Sequence, residues 1–239
     1  MKIAVSIARI IFVVCLPVLL LTTVIAGEVN SSWLYTHGFE KYDVRQSLGD
    51  NGLNLTDTDM AGIARGFIHY FNSSEEYINL TVQQNNKNVS LFTTEETIHF
   101  KDVKKLFRFD YNVLLGTFCY CLIFALVGIF WRKGKYRKNL AGDMIKGSVL
   151  TLGLMILLGI GTMLDFNNLF YQFHLLVFTN SFWSAEGNML LLFPDGFWYD
   201  AAVYCVVAIA LLAIILGGVS WAYLHYHRKQ EQKNRLLQT

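Results

Sequence analysis

Charge is scarce in this 239-residue chain, at 16% Asp, Glu, Lys and Arg, whereas hydrophobic residues make up 54%. That balance excludes a disordered chain and does not suit an ordinary soluble domain. The few charges nearly cancel, with 20 basic against 18 acidic residues, so no bulk field directs the chain to nucleic acid. Only two prolines occur, Pro17 and Pro194. Cysteine is rare too: Cys15, Cys119, Cys121 and Cys205 all fall inside long apolar runs. Residues 27–110 therefore have no disulfide, although a eukaryotic cell-surface loop of that size is usually stapled. Sequons beginning at Asn30, Asn54, Asn72, Asn79 and Asn88 are then read as chance matches in an Asn-rich bacterial chain. There is no HExxH, Walker loop, GxSxG or internal repeat, and Cys119-x-Cys121 has neither redox nor metal-ligand spacing. Neither a metal nor a cofactor is expected.

The apolar residues are gathered into four stretches near the length of roughly 20 residues that a spanning helix needs. They predict an all-α integral membrane protein with four transmembrane helices and a helical extracytoplasmic cap. The first span occupies 1–26, as an uncleaved signal anchor interrupted by Arg9. The others occupy 111–131, 147–164 and 198–223. The segment 132–146 carries Arg132, Lys133, Lys135, Arg137, Lys138 and Lys146 against Asp143 alone, and the tail 224–239 is also basic. The segment 165–197 has no Lys or Arg. By the positive-inside rule both termini are cytoplasmic, and 27–110 and 165–197 are extracytoplasmic, in a bacterial cell membrane.

Two amphipathic helices are predicted in the first outer segment. Thr56 or Asp57 caps one that runs to about Phe71, with Met60, Ile63, Ala64, Phe67 and Phe71 on one face. The other begins with Thr93 and Glu96 in a capping box. It gathers Phe100, Val103, Leu106 and Phe107 on one face and Lys101, Lys104, Lys105 and Arg108 on the other. That basic face reads as a solvated surface or a contact for lipid phosphates. Glu96, His99 and Asp102 follow at i, i+3 and i+6, so either carboxylate can approach the imidazole from a neighbouring turn. A core histidine satisfied by a carboxylate is the structural alternative. The second outer segment is too apolar for an ordinary loop. Phe166, Phe170, Phe173 and Val177 make a helical stripe with His174 beside it, and such a segment must bury itself in protein or in the outer interface. Two polar imidazoles, His99 and His174, are thus placed in apolar settings on one side of the membrane.

Two stretches resemble the signatures of one family. Glu96-x-x-His99-Phe100-x-Asp102-Val103-Lys104 is similar to an E-x-x-H-M-x-D-V-K motif. Phe173-His174-Leu175-Leu176-x-Phe178-x-Asn180-x-x-Trp183, followed by Leu192-Phe193-Pro194, is similar to a second. They resemble the lipoprotein intramolecular transacylase (Lit) family of small four-span bacterial membrane proteins. The pattern departs at Phe100, where Met is expected, and at Ser184–Gly187, where an Asp-rich stretch is expected. The resemblance implies a diacylated membrane lipoprotein as substrate, among membrane lipids. The sn-2 acyl chain of the diacylglyceryl-Cys would move to the α-amine of the same Cys, giving the lyso form. It also brings Asn180 and Trp183 into the site as supporting residues.

The histidines suit that chemistry. Aminolysis of an ester needs a base for the amine, a donor for the oxyanion and an acid for the leaving oxygen. An α-amine near pKa 8 and an imidazole near 6.5 differ by about 2 kcal/mol, which general-base transfer can bridge. No extracytoplasmic cysteine and no serine elbow are visible, so direct transfer is favoured over an acyl-enzyme. The assignment is His99 as general base, oriented by Glu96 or Asp102, with His174 polarising the carbonyl or protonating the glycerol oxygen; the two roles are interchangeable. The rival readings are a hydrolase of the same ester and a non-enzymatic four-span protein.

Overall fold

The computed structural model describes residues 2–84, 87–131 and 136–237. Arg132, Lys133 and Lys135, on which part of the predicted orientation rests, lie outside the described residues. Four helices are long and apolar enough to cross a membrane. They are α1 (Lys2–Val29), α5 (Thr94–Phe130), α6 (Arg137–Val177) and α8 (Asp195–Leu236). Between α1 and α5 lie α2 (Ser32–Lys41), α3 (Val44–Asp50), α4 (Asp57–Asn72) and a hairpin of β1 (Thr81–Gln84) with β2 (Lys87–Ser90). The short α7 (Asn188–Leu192) precedes α8. The architecture is all-α, as expected, apart from this antiparallel hairpin, which pairs Thr81 with Ser90. The α5, α6 and α8 helices run well past their predicted apolar limits. Hydropathy marks where a helix crosses lipid, and continued backbone hydrogen bonding lets it extend beyond that point.

Two compact units are formed. The first comprises 1–24, 111–160 and 205–239, the apolar parts of the long helices. Its packing uses small residues and polar pairs, as expected where lipid offers no hydrophobic driving force between helices. A Cβ on Gly147 would come within 2.7 Å of Leu16. Phe12 stacks on Phe124 at 4.5 Å, and the Tyr120 hydroxyl donates to the Ala8 carbonyl at 2.7 Å. Arg9, the lone interruption of the first span, donates from Nε and Nη2 to the two oxygens of Asp143, at 2.7 and 2.9 Å. Asp143 is 2% exposed, so this bidentate pair supplies the partner that a buried carboxylate requires.

The second unit comprises 25–110 and 161–204. Thr56 caps α4, and its reciprocal bond with Asp59 completes a capping box. That fixes the predicted apolar face: Met60, Ile63, Ala64, Phe67 and Phe71 are all buried. Phe67 is central, 5.2 Å from Phe100 and 5.0 Å from Phe193. Gly38 has a packing reason, since any Cβ there would meet the Phe197 ring at 2.3 Å. Residues 27–110 thus hold more order than the two helices predicted for them. The α2 and α3 helices are short and the hairpin brief, so neither shows a long hydrophobic period.

Candidate active site

The α5 helix starts at a capping box. Glu96 Oε2 accepts from the Thr93 N–H at 2.7 Å, and Thr93 Oγ1 accepts from the Glu96 N–H at 3.3 Å. One turn on, His99 is 7% exposed. The second histidine comes from α6, which breaks at Asp165, where φ is −159° and ψ 79°. Asp165 leaves helical geometry and its Oδ1 accepts from the Asn168 N–H at 3.0 Å. It therefore caps a fresh helical stretch to Val177, as Asp does at helix starts. His174 stands near the end of that stretch, 6% exposed. The two imidazole centroids are 6.1 Å apart, with ring planes inclined by 32°.

Aromatic rings enclose the pair. Phe178 is 4.9 Å from His99 and 5.4 Å from His174. Phe170 meets His174 edge-on at 4.2 Å, and Trp183 lies 4.9 Å away. Phe170 and Phe178 carry no role in the sequence-based assignment. Phe170, four residues before His174, could have been found from helical spacing. Phe173, predicted within the apolar stripe, is instead 42% exposed. The inward face runs through Phe166, Phe170, His174 and Val177, so His174 is itself a member of the stripe.

The supporting residues divide. Asp102 Oδ2 accepts from Asn180 Nδ2 at 2.9 Å, and Oδ1 accepts from Lys105 Nζ at 2.8 Å. Glu96 is fully buried, but it does not serve as the imidazole's orienting partner. Its Oε1 accepts from the Met189 N–H at 2.5 Å, and its Oε2 is taken by Thr93. Of the two carboxylates expected to orient His99, Glu96 or Asp102, Glu96 is thus committed to backbone donors. The carboxylate closes two backbone donors, one of them the start of α7. Gly187 makes the approach feasible, because a Cβ there would fall 2.4 Å from Glu96 Oε1.

One member of the predicted basic face, Lys104, is not on the surface. Lys104 is 3% exposed; it donates to Ser73 Oγ and the Glu75 carbonyl and lies 4.0 Å from the centre of the Tyr70 ring. Lys101 pairs with Glu76, and Arg108 donates to the Ser73 carbonyl. Lys101, Lys104 and Arg108 thus hold the 73–77 loop, while Lys105 and Arg108 remain exposed.

Burial sets the electrostatics. Desolvation, with a smaller contribution from the His174 charge, pushes His99 down to about 4 despite the opposing pull of Asp102. His174 is lowered by burial, partly offset by its bond to the Phe170 carbonyl. That bond, 2.7 Å from Nδ1 to Phe170 O, makes Nδ1 the protonated nitrogen, because a carbonyl only accepts. The neutral His174 ring then has its basic lone pair on Nε2. His99 Nδ1 is buried and has no partner among the described residues. Asp102 is raised by burial, but its bonds from Lys105 and Asn180 outweigh this and hold it below the usual carboxylate range.

The model of the family described as lipoprotein intramolecular transacylase Lit matches residues 10–198. The chain belongs to the Lit family. Solved structures of membrane-integral Lit from Bacillus cereus share the fold. One covers 98% of this chain and 100% of that chain at 20% identity, with a TM-score of 0.72. Another, a form with a histidine-to-alanine substitution, covers 94% and 95% at 18% identity, with a TM-score of 0.74. An uncharacterised protein of Aquifex aeolicus (strain VF5) is 24% identical over 128 residues, 53% of this chain and 53% of that relative. The match thus spans about half the length of that curated relative. Lit is a family of acyltransferases, and this member is an integral membrane protein.

Proposed function

We propose that this protein moves the sn-2 acyl chain of a diacylglyceryl-Cys onto the α-amine of the same lipoprotein Cys, leaving a lyso-form lipoprotein. The observation that carries this reading is the pair of imidazoles, 6.1 Å apart and both buried among aromatic rings. Donor ester and acceptor amine belong to one molecule, so a pocket that holds them in register supplies rate through effective molarity. Enclosure of the imidazoles by Phe170, Phe178 and Trp183 limits water, the competing nucleophile.

The tautomer of His174 favours it as the base. Its Nε2 receives the proton as the amine nitrogen bonds to the ester carbonyl carbon. The glycerol C–O bond then breaks, and the same proton passes to the departing oxygen, so that no proton is gained or lost. His99, neutral at physiological pH, donates a hydrogen bond to the developing oxyanion. This exchanges the two roles in the primary sequence-based assignment. The lysine and arginine bias of the flanks supports a bacterial cell membrane location with both termini cytoplasmic and the histidines on the outer side.

The test is isotope-labelled diacyl lipopeptide incubated with the purified protein in lipid. The proposal expects N-acyl, S-monoacylglyceryl product with both chains retained. Release of free fatty acid would make the protein a hydrolase instead.

A further inference from the structure

Beside the histidine pair lies a cleft of about 250 Å³ lined by Asp102, Lys105, Leu106, Val177, Phe178 and Thr179. Phe178 belongs to both places, since its ring also abuts His99 and His174. The walls of the cleft are divided between apolar Leu106, Val177 and Phe178 and polar Asp102, Lys105 and Thr179. The carboxylate is held firmly. Asn180 donates to Asp102 Oδ2, while Asn180 Oδ1 is itself fixed by the Phe182 N–H at 3.1 Å. The ammonium is held loosely. Lys105 reaches Asp102 Oδ1 at 2.8 Å, but its side chain is 64% exposed against 22% for Asp102. An exposed pair of this kind on neighbouring turns of one helix is weak and easily exchanged.

We propose that Asp102 is the counter-ion for the substrate's α-ammonium, and that Lys105 occupies the site until the lipoprotein displaces it. The inference rests on the transacylase reading and adds how the free amine is recognised. A primary ammonium presents the same charge and donors as Lys105 Nζ and takes the same place on Oδ1. Asn180 keeps Oδ2 in position throughout. The ionised state of Asp102 is already secured by its two donors, so the carboxylate is ready before substrate arrives. The acyl-bearing part of the molecule can lie along Leu106, Val177 and Phe178. The ammonium gives one proton to water before the neutral amine attacks, and once acylated the nitrogen carries no charge, so the product loses this anchor.

The experiment measures binding to the full-length protein in lipid nanodiscs, in a His174→Gln background that prevents turnover. The probes are a diacylglyceryl-Cys peptide with a free α-amine and its des-amino counterpart, in which hydrogen replaces the amine. The free amine is expected to bind roughly ten-fold tighter, in keeping with one charge-assisted contact. Adding Asp102→Asn should remove that preference while leaving des-amino binding unchanged. Lys105→Met should strengthen binding of the free-amine peptide alone. Persistence of the preference in the Asp102→Asn protein overturns the proposal, as does an equal loss of both ligands, which would place Asp102 in the scaffold. If the preference holds and depends on Asp102 but the wild type makes no N-acyl product, the amine site stands and the transacylase reading fails.

Discussion

His99 lies on α5 and His174 on α6, yet their rings are 6.1 Å apart with neither exposed by more than 7%. Such a pair has a structural use only if it satisfies itself, and His99 Nδ1 has no partner among the described residues. Replacing either histidine by Gln, which preserves size and polarity, should reduce N-acyl product formation by at least about a hundred-fold, the usual scale of a lost acid–base or oxyanion contact. Thermal unfolding should stay close to wild type. Timed assays on purified variants, paired with melting curves, check both halves.

The depressed His99 value has a definite consequence for stability. Unfolded, this imidazole titrates near 6.5; folded, near 4. Above pH 6.5 both states are neutral and the buried ring has no pH-dependent cost. Below it the unfolded chain takes up a proton that the folded protein does not. Stability therefore falls by about 3 kcal/mol as pH drops from 6.5 towards 4, and levels off below that. Selective ¹³C labelling of histidine would follow the titration directly. In a His174→Gln protein the His99 value should rise, because one source of its depression is removed.

Glu96 should separate stability from chemistry. Glu96→Ala leaves the Thr93 and Met189 N–H groups without their acceptor, at a cost of about 2–4 kcal/mol. Glu96→Gln retains an acceptor oxygen and should lose less stability while keeping most of the activity. Loss of activity in Glu96→Gln as severe as in the histidine variants, without a change in melting, would restore a role beside His99.

The Arg9–Asp143 pair makes a prediction for the first unit. Removing either partner strands a charge against a buried site and should cost about 3–5 kcal/mol. The double replacement Arg9→Met with Asp143→Leu should be more stable than either single change. Unfolding of all four proteins in the same detergent completes the cycle, and additive losses would show that the two side chains are not coupled.

The four spans and the two histidines were legible because they depend on local signals: a long apolar run, and an imidazole set among residues at helical spacing. Thr56 and Thr93 announced their helices by the same kind of local chemistry. Long-range pairing was not legible. Glu96 looks like a partner for His99 on a helical wheel, but the Met189 N–H that claims it lies 93 positions away. Lys104 reads as a surface residue until Ser73, Glu75 and Tyr70 fold over it. The Nδ1 bond that sets the His174 tautomer needs only Phe170, four residues earlier, but it becomes visible only once the rotamer is known.

Mass spectrometry of a lipoprotein N-terminal peptide, from bacterial cells that express the wild-type chain or its His174→Gln form, tests the account most directly. The account predicts N-acyl, S-monoacylglyceryl-Cys with the wild type and unmodified diacylglyceryl-Cys with the variant. The same lyso-form product in both would contradict it.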